Sequence, residues 1–348
     1  MLIEAHILQA FPTNCLNRDD TNSPKTVRIG GVTRARVSSQ CWKRQVRQAL
    51  PQFGVKIGTH SRQIAKLLVE RIRAQNASGE IAAAAAEDCA KALAEQIGAN
   101  NMVFLSDAEI DDIALLARDA GWDPKKITKA GVEKLRTRFA KNAMTHDGLD
   151  IALFGRMLAK NTVMNVEAAS SFSHAYTTHA VASGLDFFTA VDDLDPAGPT
   201  GHMGVAGYTA GVFYRYVCLD VTQLAETLGL TEEKPVLADA VRAFVKALYV
   251  AVPQARQHGM AAFSPWAYAH FLVRDGWPLQ AGFEKPVQER GGSGLLIPSI
   301  AALESELALQ EKLSGSLYGK KSEYLFGAAE GLSIDALADA LAKEAEAA

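Results

Sequence analysis

Long hydrophobic runs are missing from this 348-residue sequence. No stretch approaches the roughly 18 uncharged apolar residues that a membrane-spanning helix needs, so no membrane partner is expected. Cysteine is scarce. Cys15, Cys41, Cys89 and Cys218 stand far apart without a CxxC pair, which argues against zinc binding and for free thiols in a reducing compartment, the cytoplasm. The opening MLIEAHILQAF has no basic n-region of a signal peptide. There is no Walker A sequence, no GxGxxG after a strand and no GxSxG elbow, which excludes the common nucleotide cradles and serine hydrolases. His174 and His179 are five apart, on opposite faces of a strand, and cannot share a metal. No cofactor is called for.

The most informative absence is of acids. After Asp20 none occurs until Glu70, while residues 21–69 hold ten Lys or Arg. That block carries +10 and leaves −13 on the rest of a chain whose total is −3. A local cationic patch in an acidic protein is the footprint of a polyanion site. Within it, Ser38 and Ser39 can cap a helix of about twelve residues. At 100° per residue, Trp42, Val46, Ala49 and Leu50 share one face, and Gln40, Lys43, Arg44 and Arg47 the other. The helix is expected to bury the first face, present the second, and offer its first N–H groups to a phosphate. The plain alternative is a solvated basic helix; the total lack of acids favours nucleic acid. Asp19-Asp20 beside the patch either holds Mg²⁺, as in a metal-dependent ribonuclease, or caps a turn beside Arg18, with no third ligand in view.

Read in order, the chain is α+β. Residues 2–11 alternate as a strand and 12–36 read as a long loop. Residues 61–75, 79–98, 107–120 and 129–142 read as helices of an Ala-rich insertion. Lys125, Lys126, Lys129 and Lys134 make a second cluster there, either a polyanion surface or solvated lysines. GLDIALFGRML and SFSHAYTTHAV each suggest a strand or strand pair. Residues 187–220 suggest a long hairpin with a Pro/Gly-rich tip, on which Phe187, Phe188 and Met203 either wedge between bases or pack at the hairpin base. Helices at 235–250, 299–313 and the Ala-rich C-terminus complete the pattern, with a strand at WAYAHFLV.

Six motifs carry a resemblance: CLNRDD at 15–20, GGVTRARVSSQCWKR at 30–44, GRM at 155–157, TTH at 177–179, FFTAVDDL at 187–194 and GVFYRY at 211–216. Together they resemble the CasC-type backbone subunits of the type I-E CRISPR surveillance complex, Cascade, within the RAMP superfamily. The resemblance implies an RRM-like (ferredoxin-like) palm (1–60, 148–185 and 212–315) with helical fingers (61–147), a β-hairpin thumb (186–211) and a C-terminal segment (316–348). It implies a non-catalytic protein that polymerises along a CRISPR guide RNA and kinks it for pairing with a target DNA strand. Its partners would be that RNA, the DNA, further copies of itself and other Cascade subunits. Carried over by position, Arg18, Lys25, Ser38, Gln40, Lys43, Arg44 and Arg47 would hold guide phosphates. Met157, Phe188 and Met203 would pack around a displaced nucleotide. Phe187 stands where the best-known member has tryptophan, which reduces the stacking area. Lys125, Lys126, Lys129 and Lys134 would track DNA, although Pro124 and Gly131 loosen that match. The competing functions are the ribonuclease using Asp19/Asp20 and a stand-alone regulator that binds single-stranded RNA.

Overall fold

The computed structural model describes residues 1–75, 82–98, 102–127, 131, 148–158, 162–195, 202–289, 291–328 and 331–348. The fold is α+β, and the chain divides into two compact units. The first comprises Met1–Ala49, Phe172–Cys218 and Phe244–Glu344, and the second Leu50–Ser171, Leu219–Ala243 and Ala345–Ala348.

The first unit is built on strands β1 (Leu2–Asn14), β2 (Thr26–Ile29) and β3 (Val32–Val37), followed by helix α1 (Ser39–Ala49). Later strands return to it: β7 (Ala175–Thr177), β8 (Gly184–Ala190), β9 (His202–Asp220), β10 (Tyr268–Arg274) and β11 (Lys320–Phe326). They order as β11-β10-β1-β9-β7-β3-β2, with β8 paired to β9 off that path. The two-residue period of a strand explains the core. On β9, Val212, Tyr214, Tyr216 and Cys218 face one cluster, where Leu303 and Leu307 of a long helix (Leu296–Ser314) cover the sheet. Phe213 faces the other way, into a cluster with Phe11, Val37 and Trp42 of α1. The sheet is therefore covered on both faces, and β1 is buried almost throughout.

Two sequence expectations are corrected here. Residues 12–36 are not one long loop, because β2 and β3 form a hairpin with Ile29 opposite Val32. Gly30 and Gly31, at φ 61° and 78°, form the two-residue turn that right-handed strand twist favours. A Cβ on Gly30 would collide with the Glu284 carbonyl. Arg34, counted in the +10 patch, is fully buried, donating to the carbonyls of Thr177 at 2.8 Å and Phe283 at 3.0 Å. It braces the sheet and does not face solvent.

β1 also carries buried polar groups. Glu4 pairs with the buried Arg274 and accepts from Tyr216 and from the Leu279 N–H at 2.7 Å. His6 Nδ1 lies 2.9 Å from the Tyr214 hydroxyl. Burial, helped by the charges of His270 and Arg274, holds the His6 imidazole down at about 3. The unfolded chain protonates His6 below about 6.5 and the folded chain does not until about 3. This group's contribution is thus complete above pH 6.5 and is lost as pH falls towards 3. Urea midpoints at pH 7 and pH 4 are expected to differ more for the native chain than for His6→Gln; equal differences would remove His6 from the acid response.

The second unit holds helices α2 (Ile64–Gln75), α3 (Ala83–Ile97) and α4 (Asp107–Asp119) around Leu68, Leu93 and Ile113. A small strand pair, Thr59–Ser61 with Val103–Leu105, lies in the same unit. Residues 149–154, expected as strand, are the helix α5 (Leu149–Phe154), whose first five residues are all buried. Five apolar residues and one Asp without clear periodicity do not separate the two states. Of the expected helix 129–142, only Gly131 lies within the described residues.

Candidate nucleic-acid interface

The inner face of α1 is the one its periodicity predicts, with Trp42, Val46 and Ala49 buried; of the expected outer face Gln40 and Arg44 are exposed, joined by Gln48, while Lys43 and Arg47 are half-buried. Beneath it, the Arg215 guanidinium stacks 3.6 Å from the centre of the Trp42 ring. Arg215 is itself buried, which pushes it down to about 9; its Nη1 donates to Gln9 at 2.8 Å, and it has no carboxylate partner among the described residues. The helix therefore rests on a buried cation, which adds to the positive field of its outer face.

The outer face has two flanks. On one, Lys43 lies 5.7 Å from the Phe172 ring centre, and burial lowers its pKa. On the other, Arg44 borders a cleft of about 460 Å³ shared with Arg18, Gln45, Gln48 and Gln254. The side chains of Arg44 and these three glutamines have no hydrogen-bond or ion-pair partner among the described residues. The glutamines escaped the sequence reading because they carry no charge, and Gln254 comes from a loop about 200 residues downstream.

The helix start is less open than expected. Ser38 caps it by accepting from the Cys41 N–H at 3.4 Å, the Ser38 N–H donates to Asn17 Oδ1 at 3.0 Å, and the Ser39 N–H donates to His174 Nδ1 at 3.0 Å. These partners occupy N–H groups that a free phosphate would otherwise take. Lys25 is half-buried on the approach to β2, and its N–H closes the 17–25 loop on the Asn17 carbonyl at 2.9 Å.

Asp19 shapes that loop. Its Oδ1 accepts from the Thr21 hydroxyl at 2.8 Å and from the Thr21 and Ser23 N–H groups at 2.9 Å each, which hold its pKa below the usual range. Arg18 donates to Asn22 at 3.0 Å. Asp20 is exposed, and among the described residues no group of three or more His, Cys, Asp or Glu could hold a metal ion.

The remaining candidates sit apart. In the second unit, Arg156 is buried and anchored by Glu109 at 2.6 Å and by the Met164 and Phe104 carbonyls, which leaves the adjacent Met157 84% exposed. Lys125 and Lys126 are exposed in a short 3₁₀ turn capped by Asp123; Lys129 and Lys134 lie outside the described residues. On the hairpin, Phe187 pairs with Val205, Phe188 with Gly204 and Thr189 with Met203. Strand alternation puts Leu185, Phe187, Val205 and Met203 on one face and Phe188 on the opposite one. Phe188 lies across Gly204, where an added Cβ would strike its ring. The structure does not bring Phe188 and Met203 together.

Comparison with known proteins bears on all of this. Searching curated proteins gives no match. Among solved structures, the chain is similar to a chain of a "CRISPR RNA-guided surveillance complex, pre-nicking", at 27% identity and TM-score 0.82, covering 99% of this chain and 100% of that one. A chain of another "CRISPR RNA-guided surveillance complex" shares the fold at 24% identity and TM-score 0.63, with the same coverage. The match to the family of CT1975-like proteins runs from residue 3 to residue 345, and the chain belongs to that family.

Proposed function

We propose that this chain is a non-catalytic, RNA-binding backbone subunit of a type I-E CRISPR surveillance complex, Cascade, and that several copies line up along a guide RNA. The likeness to a surveillance-complex chain across 99% of the sequence carries this reading. The acid-free face of α1 supplies its physical complement. Such a face grips backbone and leaves sequence to base pairing, the division of labour of RNA-guided systems.

In this reading residues 1–60, 148–185 and 212–315 form an RRM-like palm, 61–147 the fingers and 186–211 the thumb. Arg18, Lys25, Gln40, Lys43, Arg44 and Arg47 neutralise guide phosphates, while Ser38 fixes the start of α1. The exposed Met157 and the two hairpin faces are the apolar surfaces for a displaced nucleotide, and Lys125 and Lys126 face target DNA. Phe188→Ala is expected to leave the protein folded, since the ring lies on an exposed hairpin. It should open periodic guide positions to nuclease; unaltered protection would place Phe188 outside the RNA contact.

The function itself is tested by purifying the protein from cells that make a guide. RNA of uniform length on a denaturing gel, with several copies of the chain per guide by sizing, is the expected result. One copy per guide, or no RNA, would overturn filament assembly. Regular Mg²⁺-dependent cuts in complementary RNA would move the function to the ribonuclease at Asp19/Asp20.

A further inference from the structure

The cleft beside α1 has a chemistry that phosphate binding does not account for. Two guanidinium groups, Arg18 and Arg44, stand at it together with Gln45, Gln48, Gln254 and the carboxylate of Asp19. A site meant for phosphate alone would exclude a carboxylate, which repels the ligand, and gains little from uncharged amides. Amides and a carboxylate beside arginines instead form an array of alternating donors and acceptors. That is the complement of a base edge: amides pair with bases in two-point fashion, and a carboxylate accepts from an exocyclic amine.

Three further observations bear on this. The side chains of Arg44, Gln45, Gln48 and Gln254 make no hydrogen bond or ion pair among the described residues, so their polar groups are available to a ligand. Asp19 holds its loop through Oδ1, and its Oδ2 has no hydrogen-bond partner among the described residues. Three non-glycine residues at positive φ flank the short helix Gln257–Met260 that follows Gln254: Arg256 at 54°, Ala261 at 56° and Ala262 at 52°. Such conformations cost free energy and cluster where a loop is held in place for binding. The volume, about 460 Å³, falls in the range of small-ligand clefts.

We infer that this cleft receives one unstacked nucleobase carrying an exocyclic amine, read by Gln48, Gln254 and Asp19, while Arg18 and Arg44 hold its flanking phosphates. The inference rests on the proposed RNA-binding function and adds a base preference to a surface that would otherwise be indifferent to sequence. Uracil, which has no exocyclic amine, is the disfavoured base.

The test measures binding of single-stranded oligocytidylate and oligouridylate of equal length to the full chain, across a range of salt. The strands differ in the exocyclic amine and both stack weakly. The native chain should prefer oligocytidylate by at least about fivefold, the discrimination of one good two-point contact. Gln48 and Gln254 are both exposed, so Q48L/Q254L should fold normally. That variant should lose the preference and keep both its oligouridylate affinity and its salt slope. Equal binding of the two strands by the native chain, or an undiminished preference in the variant, would overturn the inference while leaving RNA binding intact. Absence of salt-dependent binding to either strand would overturn the proposed function, and the base cleft with it.

Discussion

Replacing Lys43, Arg44 and Arg47 together by alanine should leave the chain folded and lower the slope of log affinity against log salt by about two to three. Each lost phosphate contact removes about 0.7 from that slope on a single strand and about 0.9 on a duplex. Folding survives because α1 is held by Trp42, Val46 and Ala49, and alanine is the best helix former. Lys43 loses its cation–π contact with Phe172, worth on the order of 0.5–1 kcal/mol. The effect should be the same for any RNA sequence, since phosphates carry no sequence information. Arg44→Ala alone should lower the slope by about 0.7 on a single strand. A slope that the triple variant does not change would remove α1 from the RNA-binding surface.

Glu4→Ala should be the most destabilising single substitution in β1, at roughly 3–5 kcal/mol, because removing one partner of a buried pair leaves the other charge unmatched. Glu4 and Arg274 are both fully buried. Burial and the Glu4 charge push the Tyr216 hydroxyl far up, so it keeps its proton and donates to Glu4. Losing the carboxylate strands that hydroxyl, the Leu279 N–H and the Arg274 Nε, while Arg274 stays tied to the Tyr318 and Trp277 carbonyls at 2.7 and 2.9 Å and cannot leave. Glu4→Gln keeps an acceptor but not the charge and should fall between. Denaturant midpoints decide this. A loss below about 1 kcal/mol for Glu4→Ala would mean that water reaches Arg274 once the carboxylate is gone.

The parts of the fold that the sequence revealed are those where one face repeats or helix formers dominate. α1 was legible because Trp42, Val46 and Ala49 recur at helical spacing, and α2, α3 and α4 because their stretch is rich in helix formers and almost free of proline. The hairpin β8–β9 showed itself through alternation and its turn-rich middle. α5 was misread because a short, mostly apolar run fits either state, and the Gly30-Gly31 turn was overlooked inside an apparent loop. Charge located the candidate surface but over-counted it. Arg34 looks like its neighbours in one dimension, and only the carbonyls of Thr177 and Phe283, far along the chain, show that it is inside. The glutamines failed in the opposite sense: charge ignores them, and their grouping exists only after folding.

β9 is a single strand from the exposed hairpin to the buried sheet, and this makes the hairpin sensitive to parity. Side chains alternate along it, so the residues between Tyr208, where pairing with β8 ends, and Val212, where the unbroken run of buried residues begins, set which hairpin face looks which way. Adding or deleting one residue there turns the Leu185–Phe187 face to where Phe188 stood, at the cost of local contacts such as the buried Thr209 hydroxyl on Asn14. Adding two restores the orientation and only lengthens the reach. Viable length variation in this segment should therefore come in even steps, a constraint imposed by the pleat of the strand and independent of what the hairpin touches.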